Sequence, residues 1–308
     1  MPLQIGVLLC IGISFSGFIQ QHEFPVLKGP YLGQKPPGMT AEIFAPGIVS
    51  TEEMPEMCAA FTADGREFYY NAQYKNRWAI YLTREVNGQW SIPEPMPFTS
   101  GYTDRDFTMS PDGQRIYFGS NRPSEKRKEQ LKALDIYVTE RIAGVSWSEP
   151  VNVGHVINSD QGENYPSVAQ NGNLYFFSSR ADGFGGCDIY FSRYIDGRYL
   201  APENLGSEIN SAQNDWDAFI APDESYIIFS SQDRNDTLGG QDLYISFQKD
   251  RRWTAAVNIG PNVNSESGEI CPSVSLDGRY LFFTSRRRGK ADIFWIKTDI
   301  IKKLKPKN

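Results

Sequence analysis

The sequence predicts an all-β fold, most simply a five-bladed β-propeller with four strands in each blade. Three observations predict it. A unit of roughly 50 residues recurs five times, as propeller repeats do. Runs rich in β-branched and aromatic residues flank a polar turn in every unit. No long amphipathic helical pattern competes with these strands.

Each unit is centred on a short polar turn that lies between two strand-like runs. In four of the five copies the turn ends in Gly, which supplies the positive φ that a tight hairpin requires. The turns are Asp64-Gly65, Asp112-Gly113, Asn171-Gly172, Asp223-Glu224 and Asp277-Gly278. Because each unit holds enough sequence for four short strands, the repeat is typical of propeller blades rather than of a β-sandwich.

The strands of a unit follow a fixed order around the turn. An acidic residue opens the first strand, an aromatic run forms the second, and in four copies an Asp opens the third. A fourth segment carries Trp or Tyr. The first strands are predicted at residues 56–62, 104–110, 163–169, 215–221 and 269–275.

The fifth unit ends after its third strand, near Ile296, so its fourth strand is missing. The segment 42–51 (EIFAPGIVST) precedes Glu56 in the way that the fourth segments precede the later acids. We therefore predict that this N-terminal strand completes the last blade and closes the ring. Closure would remove the open strand edges that otherwise pair with other chains.

The domain boundaries follow from this pattern and from the N-terminal composition. Residues 1–20 are nearly all apolar or small, which predicts a signal peptide, or a membrane anchor if the segment is not cleaved. Residues 21–39 are expected to form an extended lead-in, residues 40–300 the propeller and residues 301–308 a basic tail. A periplasmic or secreted location follows, with membrane contact only through an uncleaved N-terminal segment.

Charge and composition exclude several classes of function. The net charge of -6 argues against a nucleic-acid partner. The chain has only two histidines, His22 and His155, which disfavours a His-rich metal site. Beyond the N-terminal segment the cysteines are Cys58, Cys187 and Cys271, an odd number that gives no disulfide framework.

Three sets of motifs resemble the WD40-like β-propeller repeat of the TolB type. They are SLDGRYLFFTSR at residues 275–286, GGCDIY at residues 185–190, and Asn204-Leu205-Gly206 followed by Ile209-Asn210. The resemblance implies an exported bacterial protein that binds or scaffolds a partner. We expect a monomer that binds a protein, peptide or glycan of the cell envelope rather than an enzyme.

The acids that open the first strands are the best candidate ligand site. Inner strands of a propeller begin near one mouth of the central channel, so these side chains should form an acidic mouth. The candidates are Glu56, Asp104, Glu163, Asp215 and Glu269, joined by Asp106, Tyr165 and Asp217 two positions further on. The ring could hold Ca²⁺ or a cationic group, or each acid could instead bond to backbone or to an Arg.

A second charge pattern spans the loop between the second and third strands. It places Arg122 before Asp135, Arg180 before Asp188, Arg234 before Asp242 and Arg286 before Asp292. Opposite charges at the two ends of a hairpin predict a repeated ion pair. Recurrence in four units indicates an architectural role.

The alternative function is glycoside hydrolysis by channel carboxylates. Glycosidases use paired carboxyl groups, one as acid and one as base or nucleophile. Asp106, Asp217 and Glu163 would be the first residues to test. Because the acids recur at fixed repeat positions, as structural residues do, no catalytic residue is assigned from the sequence.

Overall fold

The computed structural model describes residues 24–99, 101–124, 133–144 and 146–306, and it is an all-β ring of five antiparallel sheets. The five-bladed prediction is confirmed. The expected targeting segment, residues 1–20, lies outside the described residues. In the part of the chain that is described, no helix is long and apolar enough to span a bilayer.

The blades follow one another in chain order, and each inner strand lies next to the channel. Blade 1 contains β2 (Glu56–Phe61), β3 (Glu67–Tyr74), β4 (Arg77–Val86), β5 (Gln89–Trp90) and β6 (Glu94–Pro95). Blade 2 contains β7 (Asp104–Met109), β8 (Arg115–Ser120), β9 (Asp135–Ile142), β10 (Ser146–Trp147) and β11 (Val151–Asn152).

The remaining blades repeat this arrangement with small differences in strand length. Blade 3 contains β12 (Glu163–Val168), β13 (Leu174–Ser178), β14 (Asp188–Ser192), β15 (Tyr194–Ile195), β16 (Arg198–Tyr199) and β17 (Glu203–Asn204). Blade 4 contains β18 (Asp215–Ile220), β19 (Tyr226–Gln232), β20 (Gln241–Lys249), β21 (Arg252–Trp253) and β22 (Val257–Asn258). Blade 5 contains β23 (Glu269–Val274), β24 (Tyr280–Ser285) and β25 (Asp292–Lys297).

The N-terminal strand β1 (Glu42–Ile43) is the fourth strand of blade 5. It pairs antiparallel with β25, with Glu42 opposite Trp295 and Ile43 opposite Phe294. The predicted closure is confirmed, although regular pairing covers two residues rather than the whole segment 42–51. The chain after Ile43 turns inward, so that Phe44 is fully buried.

The closure seam is held by a cluster of aromatic rings. Phe44 contacts Phe61 and Phe68 of blade 1 and Phe282 and Trp295 of blade 5, with centroids between 4.8 and 5.8 Å apart. Such edge-to-face and tilted pairs contribute beyond the area that they bury. Phe44 therefore contacts both the first and the last blade, as Tyr31 of the lead-in also does.

The segments before and after the propeller also pack against it. The lead-in forms a 3-10 turn at Tyr31–Gly33, with Tyr31 and Leu32 buried, and Gly29 accepts a hydrogen bond from the Trp90 indole. The helix α1 (Asp299–Leu304) buries Ile300 and Ile301. It includes the first residues of the segment expected to be a basic tail.

Replacing the closure residue should destabilise the ring. We expect Phe44→Ala to lower the free energy of unfolding by about 3–5 kcal/mol, because a fully buried Phe loses its contacts and leaves a cavity. Urea denaturation measures the change. Phe184→Ala is the matched control, since Phe184 is 55% exposed and a surface change should stay within about 0.5 kcal/mol. Equal effects of the two substitutions would contradict the closure role.

Candidate functional site

The inner strands share a backbone irregularity that decides where their side chains point. In each of β2, β7, β12, β18 and β23 the register with the second strand shifts just after the opening acid, as at a β-bulge. The residue two positions after the acid has positive φ in all five blades. These residues are Cys58, Asp106, Tyr165, Asp217 and Cys271, with φ of 48°, 56°, 47°, 49° and 53°.

The opening acids are completely buried, and each has a basic partner. Four pairs lie within one blade: Arg122 to Asp104 at 2.7 Å, Arg180 to Glu163 at 3.1 Å, Arg234 to Asp215 at 2.8 Å and Arg287 to Glu269 at 3.0 Å. The acids are 0% exposed. Buried charges of this kind need both a counter-charge and hydrogen bonds.

Glu163 shows how the remaining lone pairs are used. Its carboxylate accepts hydrogen bonds from the Ser159 backbone N–H at 2.7 Å, the Ser159 hydroxyl at 2.5 Å and the Ser178 hydroxyl at 3.1 Å. Arg180 also donates to the Ile157 carbonyl. The acid thus ties the loop that enters its blade to the loop between the second and third strands.

Glu56 is the exception, because its partner comes from another blade. Lys290 of blade 5 lies 3.1 Å from the Glu56 carboxylate of blade 1, so this pair crosses the closure seam. Burial raises the pKa of Glu56 to about 7, while hydrogen bonds from Thr51 and Lys290 act in the opposite direction. The five acids therefore form buried ion pairs that connect neighbouring segments of the fold. They are not free carboxylates at an open channel mouth.

The ion pairs expected across the second loop are not formed as predicted. Arg122, Arg180 and Arg234 turn inward to the opening acids, and Arg286 donates to Gln241 instead. Sequence proximity favoured the wrong partners, because each opening acid lies next to this loop only after the blade has folded.

The acids that open the third strands have a different repeated role. Asp135, Asp188 and Asp242 accept hydrogen bonds from the amides of Asn152, Asn204 and Asn258 on the fourth strands. In blades 3 and 4 they also accept backbone N–H groups of the preceding Gly-rich loops. These loops are therefore turns closed by their own Asp.

The five positive-φ residues converge on the channel axis. The ligand atoms of Cys58, Asp106 and Cys271 all lie within 4.8 Å of one another. Asp217 Oδ2 accepts the Cys271 backbone N–H at 3.2 Å and lies 3.6 Å from its Sγ. Tyr165 fills the space beside them and donates its hydroxyl to the Pro272 carbonyl at 2.7 Å. We call these five residues the axial cluster.

The axial cluster contains three of the eight predicted site residues, Asp106, Tyr165 and Asp217, while the other five lie at the opening-acid positions. Sequence reasoning did not assign Cys58 and Cys271 to the site. The signal was present, because both cysteines occupy the same repeat position as those three residues. All five are at most 7% exposed, so the channel is closed at this level.

Burial controls the protonation of the axial cluster. Burial and the neighbouring Asp106 raise the pKa of Asp217 to about 7. Burial also raises the pKa of Asp106, with Arg105 acting in the opposite direction. The pKa values of both thiols are raised by burial as well. Two thiols and a carboxylate at this spacing are also a donor set that could hold a metal ion.

A separate groove of ligand size lies between blades 2 and 3. Its volume is about 530 Å³, within the usual range for ligand pockets. Its lining includes Tyr117, Tyr194 and Tyr199 with Arg115, Glu140 and Arg198. An apolar recess at the channel mouth nearer the Asp-Gly turns measures only about 110 Å³. The repeat pattern does not predict the groove, because residues of two different blades line it.

The tyrosines of the groove are held in place. The ring centroids of Tyr194 and Tyr199 lie 4.9 Å apart, and both tyrosines line the groove together with Tyr117. Tyr194 packs on Gly172, where an added Cβ would lie 2.7 Å from the ring, and its backbone N–H is bound by Asn173. Tyr194 is 39% exposed, which leaves part of the ring open to a ligand.

Comparison with known proteins identifies the fold. No protein-family model matches the sequence, and no curated protein is significantly similar to it. TolB from Acinetobacter baumannii is 16% identical with a TM-score of 0.50, over 80% of this chain and 52% of TolB. The chain thus spans about half the length of that structure.

Two carbohydrate-active proteins share the propeller. A protein described as a glycoside hydrolase is 11% identical with a TM-score of 0.56, over 87% of this chain and 91% of its own. The α-L-arabinofuranosidase from Lactobacillus brevis is 12% identical with a TM-score of 0.51, over 78% and 88%. At these identities the likeness shows the fold alone. It confirms the propeller that the TolB-type resemblance implies.

Breaking one of the buried pairs should be costly. We expect Arg180→Met to lower the free energy of unfolding by about 3–5 kcal/mol, because Glu163 is left buried without its counter-charge. Arg193→Met is the control, since its pair with Glu203 is 52% exposed on both sides and contributes about 0–1 kcal/mol. Chemical denaturation of both variants measures the two changes in the free energy of unfolding. A cost for Arg180→Met as small as the control would mean that the pair does not tie the loops.

The two axial thiols should resist alkylation in the folded protein. Burial raises the pKa of all three thiols, but Cys58 and Cys271 are at most 2% exposed, so the reagent does not reach them in the folded protein. We expect iodoacetamide, followed by peptide mass spectrometry, to label the partly exposed Cys187 first. Labelling of all three at equal rates under native conditions would contradict the closed channel.

Proposed function

We propose that this chain is a non-enzymatic propeller of the bacterial cell envelope that binds a glycan in the groove between blades 2 and 3. The observation that carries the proposal is the groove itself, which combines ligand-sized volume with a partly exposed tyrosine and polar side chains. Aromatic rings can stack on the apolar faces of sugars, while charged and amide groups bind their hydroxyls.

The polar rim of the groove is fixed and mixed in charge. Arg115 Nε lies 2.8 Å from Glu140 Oε1, and both side chains are exposed. Arg198, His155 and Gln170 line other parts of the groove. Donors and acceptors on one rim suit a neutral or mixed hydroxyl-rich ligand better than a strongly charged one.

An extended peptide fits this groove less well. Peptides that bind propellers and sheets by strand addition need a long free strand edge. The outer strands near the groove, β11 and β16, contain only two residues each. A ligand held by side chains rather than by backbone pairing is therefore favoured.

The groove contains none of the residues of the acidic mouth that the sequence suggested as the binding site. Glu163 is paired with Arg180 and is fully buried, and Asp106 and Asp217 are at most 7% exposed. Glycoside hydrolysis needs two carboxyl groups on either side of an open sugar subsite. The closed axial cluster supports binding over hydrolysis. The apolar segment at residues 5–19 supports export to the envelope.

A glycan array of bacterial envelope polysaccharides, followed by calorimetry on the ligands found, tests the proposal. We expect Tyr194→Ala to weaken glycan binding about tenfold or more, as for the loss of an aromatic anchor. Tyr74→Ala is the matched control, because Tyr74 is 55% exposed on blade 1 and far from the groove. Failure of every glycan to bind, or equal loss in both variants, would overturn the proposal.

The same samples distinguish binding from catalysis and from protein recognition. Chromatography of the bound glycan should show it unchanged after long incubation. Release of shorter products would overturn the non-enzymatic assignment. Capture of envelope proteins that depends on Tyr194, without any glycan binding, would replace the glycan with a protein partner.

A further inference from the structure

The axial cluster has a composition that neither the fold nor the proposed glycan groove explains. Its ligand atoms come from four blades: Cys58 from blade 1, Asp106 from blade 2, Asp217 from blade 4 and Cys271 from blade 5. All four side chains are buried. If the positions served only to fill the channel, apolar side chains would fill it without burying polar groups.

Asp106 is the most informative member. It is 5% exposed, and among the described residues no side-chain or backbone group donates a hydrogen bond to its carboxylate. Its charged neighbours are Asp217 and Arg105; the Arg105 Nε forms an ion pair with Asp106 Oδ2 at 3.4 Å but makes no hydrogen bond. Buried carboxylates are normally hydrogen-bonded. A carboxylate oxygen that lies within 4.8 Å of two thiol sulfur atoms is placed to share a metal ion with them.

We propose that Cys58, Cys271 and Asp106, with Asp217 in the fourth position, form a tetrahedral Zn²⁺ site on the propeller axis. Thiolates and carboxylates are both common zinc ligands, and four protein ligands make a structural site. On binding, each thiol transfers its proton to solvent and bonds to zinc through the resulting thiolate, and a protonated carboxyl ligand loses its proton in the same way, so at least two protons are released for each ion.

The neighbouring groups orient these ligands. The Cys58 backbone N–H is bound by the Thr284 hydroxyl at 3.3 Å, and the Asp106 backbone N–H by the Asn71 amide oxygen at 3.0 Å. Arg105 beside Asp106 offsets part of the negative charge of the ligand set. Tyr165 is not a ligand, because its hydroxyl is directed to the Pro272 carbonyl. It closes the blade 3 side of the site.

Zinc suits this site better than the calcium considered from the sequence. Ca²⁺ takes six to eight oxygen ligands, and the axial cluster offers two carboxylates beside two sulfur atoms. Soft thiolate ligands select zinc and exclude hard cations.

A bound zinc ion would link blade 1 to blade 5, the two blades that meet where the ring closes. Cys58 and Cys271 belong to the first and last blades, which otherwise meet through Phe44, the Lys290–Glu56 pair and strand packing. One metal bonded to both blades would link the ends of the propeller in the native state only. This role is independent of whether the groove binds a glycan.

Cobalt substitution of the full chain gives the direct test. We expect one equivalent of Co²⁺ to bind to the metal-free protein, with a thiolate charge-transfer band and the visible bands of a tetrahedral site. Zn²⁺ should displace it. Absence of the charge-transfer band in wild-type protein would overturn the proposal, and this result does not depend on any variant folding.

Two variants locate the ion. We expect Cys58→Ser to weaken Zn²⁺ binding by about 100-fold or more, since a thiolate ligand is lost. Cys187→Ser is the matched control, because Cys187 is a free cysteine outside the axial cluster. Equal loss in the two variants would place the metal elsewhere and contradict the assignment.

Thermal unfolding separates zinc from the alternatives. Zn²⁺ should raise the melting temperature of wild-type protein in a concentration-dependent manner, and it should not raise that of Cys58→Ser. Stabilisation by Ca²⁺ but not by Zn²⁺ would overturn the proposal. Detection of a Cys58–Cys271 disulfide in protein purified without reductant would overturn it as well.

Discussion

The buried ion pair at the start of each inner strand is the interaction on which the rest of the structure depends. A carboxylate with no exposure to solvent fixes an Arg from the next loop and the backbone of the preceding loop at the same time. An acid–base pair of this kind occurs in every blade. It therefore fixes the position along the channel axis at which each inner strand begins. Blade 1 takes its base from blade 5, so the same interaction also spans the closure seam.

The fixed position of each opening acid determines which side chain of the inner strand points to the channel axis. With the opening acid held outward, the bulge turns the residue two positions later into the left-handed region and toward the channel. Non-glycine residues in this region carry strain of about 1–3 kcal/mol each, and the fold accepts it five times. The result is a closed centre whose chemistry comes from five separate parts of the chain, while open concave surface lies between the blades.

Much of this architecture could be predicted from the sequence, because it is repeated. The Asp-Gly turns, the aromatic second strands and the acids gave the blade count, and the incomplete fifth unit gave the closure by Glu42 and Ile43. The partners of Arg122 and Arg180 could not be predicted, since the loop places them near Asp135 and Asp188 in sequence and near Asp104 and Glu163 in space.

The functional features were harder to predict, because they arise between repeats. Cys58 and Cys271 are 213 positions apart in the sequence of 308 residues. They come together only because the ring closes and makes the first and last blades neighbours. The groove joins Tyr117 of blade 2 to Tyr194 of blade 3, and no single unit contains it. A repeat shows what the blades have in common, whereas the groove and the axial cluster depend on where the blades differ.

We propose that the closed ring brings side chains from four blades together as the ligands of one metal ion on the axis. A crystal structure of the zinc-treated protein, with anomalous scattering recorded on both sides of the zinc edge, tests it most directly. We expect one strong anomalous peak on the axis, bonded to the sulfur atoms of Cys58 and Cys271 and to an oxygen of each of Asp106 and Asp217. An axis without a peak, with the Cys271 sulfur still beside Asp217 Oδ2 as in the metal-free protein, would contradict the zinc site.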